Sequence, residues 1–131
     1  MTYFKWGDDL SVGNSFIDHD HRHLIQLVND LHTATSRGDG RNIVGNTLAA
    51  LINYTKEHFQ REEHHMELLK YPKIDEHKLQ HNELLEQVMH LRAQFDTGHI
   101  TVAAQVSALL RDWLSVRIRR SDKDFASALK K

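Results

Sequence analysis

The chain has 131 residues, 40% of them hydrophobic and 27% charged, with 17 basic and 18 acidic side chains, 11 histidines and no cysteine. That length suits one domain, spanning 1–131, able to bury a core without staples, and a net charge of −1 offers no global field for nucleic acid or an anionic membrane. The lack of cysteine excludes disulfides, thiolate metal sites and thiol nucleophiles. No apolar run of about 18 residues is present to span a membrane, and the opening stretch through Asp9 lacks the basic and apolar regions of a secretory signal.

A cytoplasmic protein is therefore expected. Its first 17 residues carry Gly7, Gly13 and Asn14 among mixed aromatic and polar residues, which reads as an ordered but irregular arm. Asp18 is a candidate cap for a helix running to about Ser36, with Leu24, Leu27, Val28 and Leu31 at helical spacing. Arg37-Gly38-Asp39-Gly40 ends it. A second helix is expected over about 41–66, where Leu48, Leu51, Thr55, His58 and Glu62 share one face. Tyr71-Pro72 breaks it, since proline lacks the amide and restricts its predecessor.

Asp75 then offers a cap for a third helix over about 76–95, carrying His77, His81, Leu84, Leu85, Val88 and Leu91. Gly98 is its stop, and Thr101 a cap for a fourth helix with Val102, Val106, Leu109, Leu110, Trp113 and Leu114. The tail from Phe125 to Leu129 adds a further turn or two. No alternating apolar pattern points to strands. Four helices joined by short loops imply an all-α, antiparallel up-down-up-down four-helix bundle with an irregular N-terminal arm.

The histidines and carboxylates fall into this pattern unevenly. His58 with Glu62, and His77 with His81, are each four residues apart. Four residues turn a helix through about 400°, so each pair lies on one face within a turn. Imidazole and carboxylate suit divalent iron, manganese or zinc, and this spacing is a natural chelating bite. Both pairs continue apolar stripes and so point inward, where each unpartnered neutral group would cost roughly 2–7 kcal/mol and a charge more. A shared metal cluster satisfies them together; the bland alternative is an interior hydrogen-bonded network. His21 continues the stripe of Leu24, Val28 and Leu31. Asp122 lies five residues after Arg117, a turn of about 140° beyond one full circle, so both reach the core only where the backbone loosens in the π manner. His19, His23, His32, His64, His65, His90 and His99 read as surface or boundary residues.

With these motifs in view, the chain resembles a hemerythrin, specifically a single-domain bacterial one. Trp6 and Leu10-Ser11-Val12-Gly13, followed by Ile17-Asp18-His19-Asp20-His21, resemble the first ligand motif. His58-Phe59-Gln60-Arg61-Glu62-Glu63 with Met66 and Tyr71-Pro72 resembles the second, His77-Lys78-Leu79-Gln80-His81 the third, and Trp113-Leu114 through Asp122 the fourth. The resemblance implies two non-heme irons joined by an oxo or hydroxo bridge. His21 and His58 would serve one iron, His77 and His81 the other, with Glu62 and Asp122 bridging. Dioxygen would bind the iron with fewer histidines, here the His21/His58 iron, and Phe59, Trp113 and Leu114 would supply apolar pocket walls. Ordinary core packing explains those three residues equally well.

The departure is at position 117, where the fourth motif expects histidine and this chain has arginine. A guanidinium stays protonated and has no lone pair to donate, so Arg117 is expected either swung outward or paired with a carboxylate such as Asp122. Three readings stand: an introduced ligand change, a natural relative with altered reactivity, or a site reduced to one metal or none. The six retained ligand positions argue against complete decay.

The function implied is reversible dioxygen binding for carriage, storage or delivery. The alternatives are a di-iron enzyme reacting with peroxide or oxygen, or an oxygen or iron sensor acting through a separate partner. Arg117, Arg119, Arg120 and Lys123 form a basic cluster at a helix C-terminus, where such residues answer the dipole and solvent, so no nucleic-acid role is read. The apolar stripes suffice for one bundle, which favours a monomer.

Overall fold

Asn14, rather than Asp18, begins the first helix. The computed structural model describes residues 3–129, leaving the outermost two residues at each end of the expected 1–131 domain outside it. In it α1 runs Ser15–Ser36, and the Asn14 side chain accepts hydrogen bonds from the amides of Phe16 and Ile17 at 3.0 and 3.1 Å. Asp18 already lies in the first turn and is buried, accepting from Ser11 Oγ at 2.6 Å and from the Val12 amide at 2.9 Å. A carboxylate there complements the helix dipole and also pins the arm, whose short 3-10 turn covers Asp8–Leu10.

The second helix, α2, extends over Arg41–Leu69, three residues beyond the expected end. Lys70 terminates it in the left-handed region at φ 53°, and its amide reaches back to the carbonyls of the last turn. Pro72 bars a resumption but does not itself end the helix. The third helix, α3, spans Ile74–Asp96, with Lys73 at its cap position and no side-chain capping bond. Asp75 and Glu76 instead occupy its first turn, facing the positive end of the dipole. Gly98 takes φ 110°, a conformation that favours glycine, just after the helix ends. The fourth helix, α4, covers Val102–Arg117; Thr101 sits at its cap position without making the capping bond. A π-helical turn, Ile118–Asp122, follows as the spacing of Arg117 and Asp122 anticipated, and α5 completes the described chain over Lys123–Leu129.

Each long helix packs against two others, α1 on α2 and α4, and α3 on α2 and α4. Together with the short connections, this gives a four-helix bundle with no strand among the described residues. Leu24, Val28, Leu31, Leu48, Leu51, Ile52, Leu84, Val88, Val106, Leu110 and Leu114 fill its core, as the helical stripes require. Leu27, Leu85, Leu91 and Leu109 are only partly buried and pack at the margin of that core. Among the described residues no helix is long and apolar enough to cross a membrane.

The alternating chain direction decides where chemistry sits. His21 lies near the start of α1, His58 and Glu62 near the end of α2, His77 and His81 near the start of α3, and Asp122 just past the end of α4. In an up-down-up-down bundle these positions all come to one end. Asp18→Ala should loosen this end, because it leaves the buried Val12 amide without its acceptor. A loss of about 1–3 kcal/mol is expected in thermal or denaturant unfolding, with Asp18→Asn losing less because an acceptor remains.

Candidate metal centre

His21, His58, Glu62, His77, His81 and Asp122 are all buried, and they form two groups that share Glu62. Ligand atoms of His21, His58, Glu62 and Asp122 lie within 4.8 Å of one another, as do those of Glu62, His77 and His81. The π turn is what admits Asp122. An i→i+5 turn widens the helix, carrying Asp122 round to meet His21, with 3.1 Å between His21 Nε2 and Asp122 Oδ2.

Glu62 is the centre of the arrangement. Its Oε2 stands 2.9 Å from His58 Nε2 and 3.7 Å from His21 Nε2, and its Oε1 3.5 Å from His81 Nε2. Those approaches are short, yet both Glu62 oxygens and both His21 nitrogens are buried without a hydrogen-bond partner. The atoms are near but not aligned along donor–acceptor lines. Buried unsatisfied polar atoms each cost about 1–3 kcal/mol, so hydrogen bonds alone do not satisfy Glu62 and His21. The arrangement is one of donors converging on a common point. Two ligands bound to one ion at about 2.1 Å and at right angles stand about 3.0 Å apart, close to the His58–Glu62 separation. The donor set of imidazoles and carboxylates fits divalent transition metals.

Carboxylates behind the imidazoles fix their direction. His58 Nδ1 donates to Asp20 Oδ2 at 3.0 Å, and His81 Nδ1 donates to Glu63 Oε2 at 3.0 Å. Each bond places the proton on Nδ1 and aims the Nε2 lone pair inward, a support common behind metal-ligating histidines. Asp20 is itself held by Tyr54 Oη at 2.8 Å and by Arg61 Nε and Nη2, both at 2.9 Å. Neither Asp20 nor Glu63 is legible as a partner from helix spacing, because each bond crosses between helices. The only local signal is that each adjoins a ligand candidate, Asp20 before His21 and Glu63 after Glu62.

Burial by itself pushes the His58 imidazole down. The Glu62 charge and the hydrogen bond to Asp20 outweigh burial and hold its pKa up at about 10. Burial likewise opposes, and the nearby carboxylates outweigh it, at His21 and His81, whose pKa values are also raised. His77 goes the other way, because burial disfavours its charged form. A metal ion entering this site must therefore displace protons.

The remaining candidates fall in distinct places. Phe59 stacks face to face on His81 at 3.8 Å, and Trp113 lies 5.4 Å from Phe59 and 6.1 Å from His81 between ring centroids. Phe59 and Trp113 thus pack on the His77/His81 side, while Leu114 is a fully buried core residue. On the His21/His58 side, a mainly apolar cavity of about 280 Å³ reaches His58 and Glu62; Phe16, Ile17, His19 and Phe125 are among its walls. None of Phe59, Trp113 or Leu114 lines it. Of the histidines read as peripheral, His32 is half-buried and stacked on Tyr3, and the other six are exposed.

Arg117 neither swings free nor pairs with Asp122. It is half-buried, with its guanidinium carbon 5.4 Å from the Trp113 ring centroid and its Nη2 buried without a partner. Burial lowers its pKa.

The Asp20 cluster has a pH signature of its own. Burial and the Asp20 carboxylate push the Tyr54 phenol up to about 12. A raised phenol pKa stabilises the fold below the ordinary value of about 10, and that contribution disappears as pH climbs through about 12. Phenolate absorbance, assigned by Tyr54→Phe, should therefore show Tyr54 ionising near the upper value in the parent and nearer the ordinary one in Asp20→Asn.

Comparison with known proteins agrees with this reading of the fold. Residues 12–129 match the family model described as a hemerythrin HHE cation binding domain. The bacteriohemerythrin of Stenotrophomonas maltophilia (strain R551-3) is 33% identical over 99% of this chain and 84% of its own length. That of Methylococcus capsulatus (strain Bath) is 32% identical over 98% of both chains. A solved hemerythrin carrying a leucine-to-alanine substitution superposes with a TM-score of 0.93 at 29% identity, over 100% of each chain. By its sequence and its helical bundle alike, the chain belongs to the hemerythrin family.

Proposed function

We propose that this chain binds dioxygen reversibly at a non-heme di-iron centre, for oxygen carriage, storage or delivery. The observation that carries the reading is Glu62. Its two unpartnered oxygens face different imidazoles, Oε2 toward His58 and His21 and Oε1 toward His81. A carboxylate so placed would bridge two ions, one held by His21 and His58 and the other by His77 and His81. Asp122 would be the second carboxylate, brought in by the π turn.

When bound, the two ferrous ions supply the open coordination position and the electrons that reversible oxygen capture requires. The protein's own residues do the rest. Asp20 and Glu63 hold His58 and His81 in the donating orientation, so the site is arranged before metal arrives. The apolar cavity beside His58 and Glu62 gives a small neutral molecule a path while offering little to water. Phe59 and Trp113, packed on His81, exclude solvent from the other side. Phe59, Trp113 and Leu114 are thus assigned to shielding the centre.

Protein loaded anaerobically with ferrous iron should hold two irons per chain by elemental analysis. Air should produce a visible charge-transfer absorption that deoxygenation reverses. Glu62→Ala should hold fewer than two irons and lose the reversible band. Two irons without an oxygen-dependent band would sink the carrier reading, and fewer than two in the parent would sink the di-iron reading.

Arg117 supports a second reading, an oxygen- or peroxide-reacting enzyme, because a side chain that cannot coordinate leaves a metal position for water or substrate. Steady peroxide turnover by the iron-loaded protein, abolished in Arg117→His as reversible oxygen binding strengthens, would select it.

A further inference from the structure

The two carboxylates behind the imidazoles are loaded very differently. Asp20 accepts four hydrogen bonds, two on each oxygen. His58 Nδ1 at 3.0 Å and Arg61 Nε at 2.9 Å meet its Oδ2; Tyr54 Oη at 2.8 Å and Arg61 Nη2 at 2.9 Å meet its Oδ1. That fills the roughly four lone-pair sites of a carboxylate. Glu63 accepts a single hydrogen bond among the described residues, from His81 Nδ1 at 3.0 Å. No lysine or arginine among those residues pairs with it, and Lys78 is bonded to Glu67 instead.

A carboxylate behind a metal-ligating imidazole makes it a stronger donor by drawing on its Nδ1 proton. How hard it draws depends on how much of its charge is free. A guanidinium fork is among the strongest partners a carboxylate takes, and Tyr54 takes a further share of Asp20. Water can reach both carboxylates, with Asp20 14% and Glu63 24% exposed, but a neutral molecule does not cancel a charge. Arg61 hydrogen-bonds none of the ligand residues itself. Its guanidinium carbon lies over the Tyr54 ring, 5.2 Å from the centroid, so both partners of Asp20 brace each other. Asp20, Arg61 and His58 all line the apolar cavity of about 280 Å³, whereas Glu63, His77 and His81 do not.

We propose that Arg61 is a positioning residue that acts through Asp20 to restrain the donor strength of His58. The two halves of the centre then carry unequal imidazoles, the weaker donor belonging to the half that the cavity reaches. A weaker donor favours the reduced state of its ion, which suits the half to which the cavity leads a small neutral molecule. The inference rests on the metal reading given above, and the metal count separates the failure of one from the failure of the other.

The test loads isotope-labelled protein with zinc(II), which is diamagnetic and redox-inert. The parent is compared with Arg61→Met, Arg61→Lys, Asp20→Asn and the double variant Asp20→Asn with Arg61→Met. Elemental analysis gives the metal count, circular dichroism the helical content, and proton–nitrogen NMR the imidazole Nδ1–H signals. The His58 signal is assigned by Asp20→Asn and the His81 signal by Glu63→Gln. Because a stronger hydrogen bond moves its proton downfield, Arg61→Met should shift His58 Nδ1–H downfield and leave that of His81 in place. Arg61→Lys, which keeps the charge but not the fork, should shift it less. In the Asp20→Asn background Arg61→Met should leave the His58 signal where it was, since the coupling passes through the carboxylate. A His58 signal that ignores Arg61→Met in fully loaded, helical protein would overturn the proposal and leave Arg61 a brace of the fold alone. An equal shift in the Asp20→Asn background would overturn it too, marking a direct effect of charge. A parent holding fewer than two zinc ions would remove the metal reading and this inference together.

Discussion

A carboxylate buried among imidazoles without a single hydrogen bond is the constraint on which this structure turns. Glu62 is 3% exposed and has partners on every side at 2.9–3.7 Å, none of them aligned to bond it. The protein interior ordinarily does not tolerate such a group. Its neighbours are arranged as though its charge were already answered. Asp20 and Glu63 draw the Nδ1 protons of His58 and His81 outward, away from Glu62, when a simpler network would have turned those protons inward. The fold thus leaves the Glu62 oxygens and the His21 nitrogens without hydrogen bonds, an arrangement that could hold a cation.

The π turn belongs to the same economy of placement. Asp122 stands five residues from Arg117, and a regular helix would send one of them outward. Widening the turn lets Asp122 meet His21, and the local surroundings hold that irregular turn in place. Arg119 reaches Asp9 of the N-terminal arm at 2.6 Å and Ser115 Oγ at 2.6 Å, while Ile118 and Phe125 are fully buried on either side. Tyr71, just beyond α2, lies edge-on to both Phe125 and His77, with ring centroids 5.3 and 5.8 Å away. The arm, the α2–α3 connection and the tail therefore converge on the end of the bundle where the carboxylates gather. Arg117 falls at the start of this turn.

Much of this was legible in the chain. The apolar stripes give four helices because burial has the helical period. His58 and Glu62, and likewise His77 and His81, share faces because four residues make about one turn. Even the π turn was implied by five-residue spacing between two residues with reason to face inward. Caps were read less well. Asp18 and Asp75 look like caps in sequence, since the same side chain serves a cap or a first-turn position, and Asn14 and Lys73 took those places. The supports of the imidazoles were not legible at all. Asp20 with His58, and Glu63 with His81, are bonds between helices, and helix periodicity carries no information on rotation or depth across an interface.

Sequence alone therefore determined the bundle and the inward faces on which His21, His58, Glu62, His77, His81 and Asp122 lie. Those follow from periodicity and chain direction, which are local properties. Tertiary structure decided how Glu62 is shared, which carboxylates orient which imidazoles, and which side of the centre Phe59 and Trp113 cover. It also decided that Arg117 rests on Trp113 with one nitrogen unpartnered and does not reach Asp122. Each of these depends on distances between helices fixed only when the core packs. An arginine's reach spans several partners, and only packing selects among them.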